Sequence, residues 1–149
     1  MTDAAKRPPD RTDPLDNLLG YHLRRLSVVV MTDLTESLAP LELRPAEASI
    51  LLVIASNPGA TQSEVGRVLG IFRANMAPLV SALLERGLIQ RKAVDGRSQA
   101  LRLSSAGGAV YRRALNVIRK HEQRLFGHLS RKTRGAMVAQ MRSLWQAKR

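Results

Sequence analysis

Thr61-Gln62-Ser63-Glu64-Val65-Gly66-Arg67-Val68-Leu69-Gly70, followed one helix later by Arg91-Lys92-Ala93-Val94-Asp95-Gly96-Arg97-Ser98, is the stretch that decides the fold. Thr61 and Glu64 have capping-box spacing: the hydroxyl accepts from the Glu64 amide and the carboxylate returns the bond to Thr61. Val65, Val68 and Leu69 give the short helix one apolar face, and Gly70 ends it. A further helix is predicted over residues 72–86, with Met76, Leu79, Val80, Leu83 and Leu84 inward and Gly87 as its terminator. The apolar period then switches. Residues 88–94 read as a strand, 95–98 as a turn and 100–103 as a returning strand. A short capped helix, a glycine turn and a second helix make a helix-turn-helix. A basic hairpin follows in the place of a wing.

Outward from this core the chain reads as helices. Leu15, Leu18, Leu19, His22, Leu26, Val29, Val30, Leu34 and Leu38 recur at helical spacing, predicting a long amphipathic helix over residues 15–40. Pro45 suits the first turn of a second helix, rich in buried-type residues and broken by Asn57-Pro58-Gly59. Ser104 or Ser105 caps a long fifth helix with Val110, Ala114, Val117, Ile118, His121 and Leu125 on one face. Ser130 caps a sixth carrying Met137, Met141, Leu144 and Trp145. The expected class is mainly α with a small β-hairpin wing. Residues 1–14 are expected to be a flexible arm, and residues 15–149 one domain. Within it, 45–104 form the winged helix-turn-helix lobe, while 15–40 and 105–149 supply dimerisation helices.

Composition narrows the function. The chain has 149 residues, 24 basic against 12 acidic, and a formal net charge of +12. Such an excess points to polyanionic partners. It is uneven: residues 1–59 hold 6 basic and 8 acidic groups, 60–105 hold 7 and 3, and 106–149 hold 11 and 1. Aromatics are 3% of the chain, too few for a stacking reader of single strands. There is no cysteine, which excludes disulfides and thiolate metal sites. Three scattered histidines give no metal constellation, and no cofactor is implied. The longest apolar run, residues 50–55, is far short of a membrane span, and no apolar signal core opens the chain, so a cytoplasmic protein is expected. No phosphate loop, nucleophile motif or carboxylate pair suggests an enzyme.

A helix-turn-helix holds its second helix in the major groove of duplex DNA by bracing it with the first. The first turn of the fourth helix offers Arg73, Asn75 and Met76, suited to guanine, adenine and a thymine methyl respectively. The hairpin carries Arg91, Lys92, Arg97 and Arg102, with Arg97 and Ser98 at its tip, where a narrow minor groove attracts a guanidinium. Asp95 either orients Arg97 or caps the turn. Thr61, Gln62 and Ser63 open the third helix; they serve as a plain cap, or as a cap that also holds a DNA phosphate on free amides.

These residues resemble the MarR family of transcriptional regulators. The likeness runs through Gln62–Gly70 and through Leu83-Leu84-Glu85-Arg86-Gly87-Leu88-Ile89-Gln90-Arg91. It continues through Asp95-Gly96-Arg97-Ser98 and Leu101-Arg102-Leu103-Ser104-Ser105-Ala106-Gly107. The Asp-x-Arg-Ser wing followed by Leu-Ser/Thr-x-x-Gly is its most specific part. The resemblance implies a triangular homodimer with helices one, five and six interlocked, a palindromic operator, and repression relieved by a small ligand. It also implies base reading by Arg73 and Asn75 and minor-groove entry by Arg97. Recognition helices about 34 Å apart would meet successive major grooves. Pro78 departs from the family pattern: either the regular helix starts near Asn75 or it kinks at Pro78.

The ligand site the resemblance implies lies between the first, second and fifth helices. Tyr21, His22, Arg24 and Arg25 are its candidates, His22 being either a packed core histidine or a ligand contact. Residues 21–27 and Asn75-Met76-Ala77-Pro78 are similar to regulators of aromatic-acid catabolism that sense aryl acyl-CoA thioesters. Arg24, Arg25 and the basic C-terminal segment suit an anionic ligand of that kind. Two other classes compete. An effector-independent architectural protein would coat DNA with little sequence preference. A helical module that docks another protein would give Arg97 no special role.

Overall fold

The computed structural model describes residues 13–94 and 99–147. The order is α1 (Leu19–Leu38), a 3-10 turn (Ala39–Leu41), α2 (Pro45–Ser56), α3 (Gln62–Leu69), α4 (Arg73–Glu85), β1 (Ile89–Ala93), β2 (Gln99–Leu103), α5 (Ser105–Phe126) and α6 (Arg131–Gln146). This is the expected mainly α fold with a hairpin wing. The expected arm lies almost wholly, and the wing tip Asp95, Gly96, Arg97 and Ser98 entirely, outside the described residues. Among the described residues no single helix is long and apolar enough to cross a membrane.

The core forms where α2, α3, α4 and the hairpin meet the end of α1 and the start of α5. Leu38, Ile50, Leu51, Val65, Met76, Leu83, Ile89 and Leu101 are its largest apolar members. Helix α2 begins on Pro45, and its first turn holds buried Glu47, which accepts from the Arg44 amide at 2.8 Å and its guanidinium at 2.9 Å. Burial pushes the Glu47 carboxyl up, but these bonds outweigh it and leave the carboxyl below its ordinary range. Arg86 closes the same corner: its guanidinium donates to the carbonyls of Glu42, at 2.6 Å, and Leu41, at 3.3 Å.

Helix α1 lives in two environments. Leu34 and Leu38 near its end pack into the core. Leu19, Leu23, Leu26, Val28, Val29 and Met31 are exposed. It starts at Leu19, later than the apolar stripe suggests, because residues 14–17 form a turn with Leu15 N–H bonded to Asp13 Oδ1 at 2.9 Å. His22 is not a packed core residue. Its side chain is 54% exposed, and Nε2 lies 2.6 Å from the Asp16 carbonyl oxygen.

The buried histidine is His121 on α5, 2% exposed, with Nδ1 2.6 Å from Asp33 Oδ2 on α1. Arg124 completes the clamp, donating from Nη2 to Asp33 Oδ2 at 2.6 Å and to Ser37 Oγ at 2.9 Å. Hydrogen bonds from Arg124 first, and then His121, hold the Asp33 carboxyl below its ordinary range.

A second seam joins α5 to the hairpin. Ser104 caps α5 by accepting from Gly107 N–H at 2.9 Å, while its hydroxyl donates to the Gly87 carbonyl at 2.6 Å. A Cβ on Gly107 would stand 1.7 Å from the Leu88 carbonyl oxygen. That contact gives the Ser-x-x-Gly part of the sequence motif its physical reason.

Two outcomes are expected. Gly107→Ala forces the helix off β1 and lowers stability by about 3 kcal/mol, read from urea unfolding. The Asp33 carboxylate is worth more folded than unfolded. Its contribution is complete above the ordinary carboxylate range, near pH 4, and is lost as pH falls through the depressed value. Urea midpoints of the wild type should therefore fall on acidification in that window, and Asp33→Asn should remove part of that dependence.

Candidate nucleic-acid interface

Helix α3 opens with the capping box expected from its sequence. Glu64 N–H donates to Thr61 Oγ1 at 3.3 Å, and Glu64 Oε2 accepts from the Thr61 amide at 2.7 Å and hydroxyl at 2.9 Å. The bond from the Thr61 amide is the main cause holding the Glu64 carboxyl below its ordinary range. The ladder begins with Val65 N–H on the Thr61 carbonyl at 3.0 Å, so the amides of Gln62 and Ser63 have no partner inside the helix.

At its other end Gly70 adopts the left-handed conformation, φ 67°, and α3 and α4 meet at 116°. That angle is the helix-turn-helix range. Close contact fixes it: a Cβ on Gly66 would stand 3.0 Å from Met76 Cγ and 3.2 Å from the Ile71 carbonyl oxygen.

Helix α4 starts at Arg73, not near Asn75. Pro78 lies in its second turn and removes the amide that would reach the Ala74 carbonyl. Ala74, Ala77 and Pro78 are all exposed, so water can take the place of that donor.

The hairpin is antiparallel, with Ile89 opposite Leu103, Arg91 opposite Leu101 and Ala93 opposite Gln99. Its root is tied to α3. Leu101 N–H donates to the Ala60 carbonyl at 2.8 Å, and Thr61 bridges Ala100. Thr61, Gln62, Ser63, Arg73 and Arg91 consequently share one open recess of about 420 Å³ with Gln99 and Leu101. Two guanidinium groups and the positive end of α3 converge there, and among the described residues no acidic side chain lines it. The arrangement suits phosphate and base-edge oxygens.

The other sequence candidates separate. Met76 is 1% exposed and belongs to the core, as its place on the apolar face requires. It has no surface to offer a thymine methyl, so that expectation is corrected. Asn75 is exposed in the first turn of α4 and does not line the recess. Lys92 and Arg102 are exposed, and strand alternation puts them on the hairpin face opposite Arg91. Arg97 and Ser98 lie outside the described residues. Gln99 is the member the sequence reading missed; its position two residues from Leu101 on the returning strand is the signal that was available.

The ligand candidates cluster on the first turns of α1. Tyr21 Oη accepts from Arg25 Nη1 at 3.0 Å and donates to Asp13 Oδ2 at 3.4 Å. The Arg24 and Arg25 guanidinium carbons sit 5.7 and 5.6 Å from the Tyr21 ring centroid, and the His22 ring meets Tyr21 edge-on at 5.4 Å. The hydrogen bond that Arg25 donates to Tyr21 raises the Arg25 pKa above its ordinary value. His22 and Arg25 also edge an apolar recess of about 470 Å³ that reaches Met137 and Met141 of α6.

A sequence model of the MarR family matches residues 41–98, the stretch from the 3-10 turn to the wing. The chain is 36% identical to CouR, a transcriptional repressor whose structure was solved bound to a 23-mer DNA duplex. The match covers 90% of this chain and 96% of that one, with a TM-score of 0.83. CouR bound to p-coumaroyl-CoA matches at 35% identity over the same shares, with a TM-score of 0.79. A putative transcriptional regulatory protein for the hcr operon of Thauera aromatica is 28% identical over 131 residues, 86% of this chain and 79% of that protein.

The cap at the mouth of the recess yields a direct expectation. Thr61→Ala removes the hydroxyl partner of Glu64 and should lower stability by about 1 kcal/mol in thermal or urea unfolding.

Proposed function

This chain belongs to the MarR family of transcriptional regulators, and we propose that it is a ligand-responsive repressor that binds a palindromic operator in double-stranded DNA as a homodimer. The observation that carries this reading is the single recess holding the start of α3, Arg73 and Arg91. In it the free α3 amides take a backbone phosphate, Arg73 and the neighbouring Asn75 enter the major groove, and Arg91 holds the flanking backbone. Arg97 at the wing tip takes the minor groove. Lys92 and Ser98 add backbone contacts. CouR, so similar over nearly its whole length, binds a DNA duplex.

The homodimer is supported by the exposed apolar face of α1 and by α6, which buries no residue on this protomer. Leu23, Leu26, Met137, Met141 and Phe126 border an apolar cleft of about 380 Å³ between these helices and α5. A second copy interlocking its own α1, α5 and α6 covers such surfaces by the hydrophobic effect.

The effector we assign to the start of α1 is an aromatic acid or, more specifically, an aryl acyl-CoA thioester. Arg24 and Arg25 supply cations for its phosphates, and Tyr21 and His22 supply ring contacts. CouR binds p-coumaroyl-CoA.

Fluorescence anisotropy tests the reading. At about 0.15 M salt the protein should bind a duplex selected from a random pool at least a thousandfold more tightly than unselected DNA. Arg91→Ala should weaken binding to all sequences and reduce the slope of log K against log salt by about one. p-Coumaroyl-CoA should release the duplex from the wild type but not from a variant carrying Arg24→Ala and Arg25→Ala. Equal affinity for all duplexes overturns the regulator reading. Indifference to aromatic acids and their CoA thioesters overturns the effector.

A further inference from the structure

Phe72 is the most exposed large hydrophobic residue among those described, at 80%. It is the N-cap of α4, with φ −62° and ψ 146°, and its side chain makes no capping bond. Only its carbonyl serves the helix, accepting from Asn75 N–H at 2.9 Å and Met76 N–H at 3.0 Å. N-cap positions favour Ser, Thr, Asp or Asn, whose oxygens satisfy a free amide. Here the cap is left without that oxygen, and a phenyl ring stands in water. Neither choice helps the fold, and both fall at the entrance of the helix that borders the recess. Asn75 lies three residues on, within side-chain reach across the first turn of α4, and both side chains are exposed while Met76 between the helices is buried.

We propose that Phe72 is a specificity-determining residue that packs its ring on a thymine 5-methyl group in the major groove, beside the base read by Asn75. The proposal rests on the DNA-binding reading above. An A·T pair presents adenine N6 and N7 and the thymine methyl on one groove edge, so an amide and an apolar ring side by side read that edge together. The role of a methyl contact, which the sequence pattern suggests for Met76, passes to the neighbouring side chain that is free to make it.

The test uses the full chain and duplexes it selects from a random-sequence pool, resynthesised with deoxyuridine at one thymine at a time. This change removes only the methyl group. Wild type should lose affinity about fourfold at one position per half-site, the order expected for one buried methyl. Phe72→Ala should bind the unmodified duplex about fourfold more weakly and ignore deoxyuridine at that position. Phe72→Ser restores a capping oxygen, so its melting temperature should stay at or above that of wild type while it shows the same lost methyl response. Equal deoxyuridine penalties in wild type and both variants overturn the proposal. So does a Phe72→Ala variant whose oligomeric state changes while its methyl dependence does not, since the ring then serves a protein contact. If wild type selects no sequence at all, the regulator reading fails and this proposal with it, an outcome distinct from selection without a methyl response.

Discussion

The hydrogen bond from Leu101 N–H to the Ala60 carbonyl, with the Thr61–Ala100 bridge beside it, decides what the lobe can present. One such bond contributes only about 1 kcal/mol net. Its consequence is geometric. It joins the returning strand of the wing to the residue before the cap of α3, so Arg91 and the free α3 amides cannot move apart. Gly66 sets the other side by letting α4 approach α3 closely enough to bring Arg73 in. Gly107 does the same for α5 against Leu88. Three backbone approaches thus fix one cationic recess, and each depends on a small residue or a main-chain pair rather than on a charged side chain.

Features written within a few residues were legible in the sequence. The capping box of Thr61 and Glu64, the caps at Ser104 and Ser130, the break at Gly70 and the place of the hairpin rest on local bonds and stand where the sequence puts them, whereas the burial of the returning strand does not alternate: Ala100 and Leu101 are both buried. What depended on a distant partner was harder to read. His22 and His121 both lie on apolar helical stripes, yet only His121 has Asp33 facing it across α1 and α5. Met76 satisfies both the first-turn pattern of a groove-entering helix and the core pattern; its packing on Gly66 decides for the core. Pro78 is compatible with a helix starting at Arg73 because its missing bond falls on an exposed flank.

Helical periodicity also says that a face is apolar without saying what covers it. Helix α1 carries one stripe, but its final turns enter the core of the lobe while its first turns do not. The Asp33–His121–Arg124 clamp holds that final part to α5. The candidate effector residues are thus on the same rigid rod as residues packed against the helix-turn-helix. An effector bound at Tyr21, Arg24 and Arg25 would act on the lobe through about 20 Å of α1, the 13 residues from Tyr21 to Leu34.

Net charge alone points elsewhere, because the largest basic excess lies beyond residue 105. Electrostatic attraction steers a polyanion to any such surface; shape decides where it seats. Amide hydrogen exchange with and without a selected duplex separates the two. The expected result is protection of residues 60–64, 71–76 and 88–103, with the exposed face of α6 unchanged. Protection confined to α5 and α6, with residues 60–76 exchanging as in the free protein, contradicts the assignment of the recess.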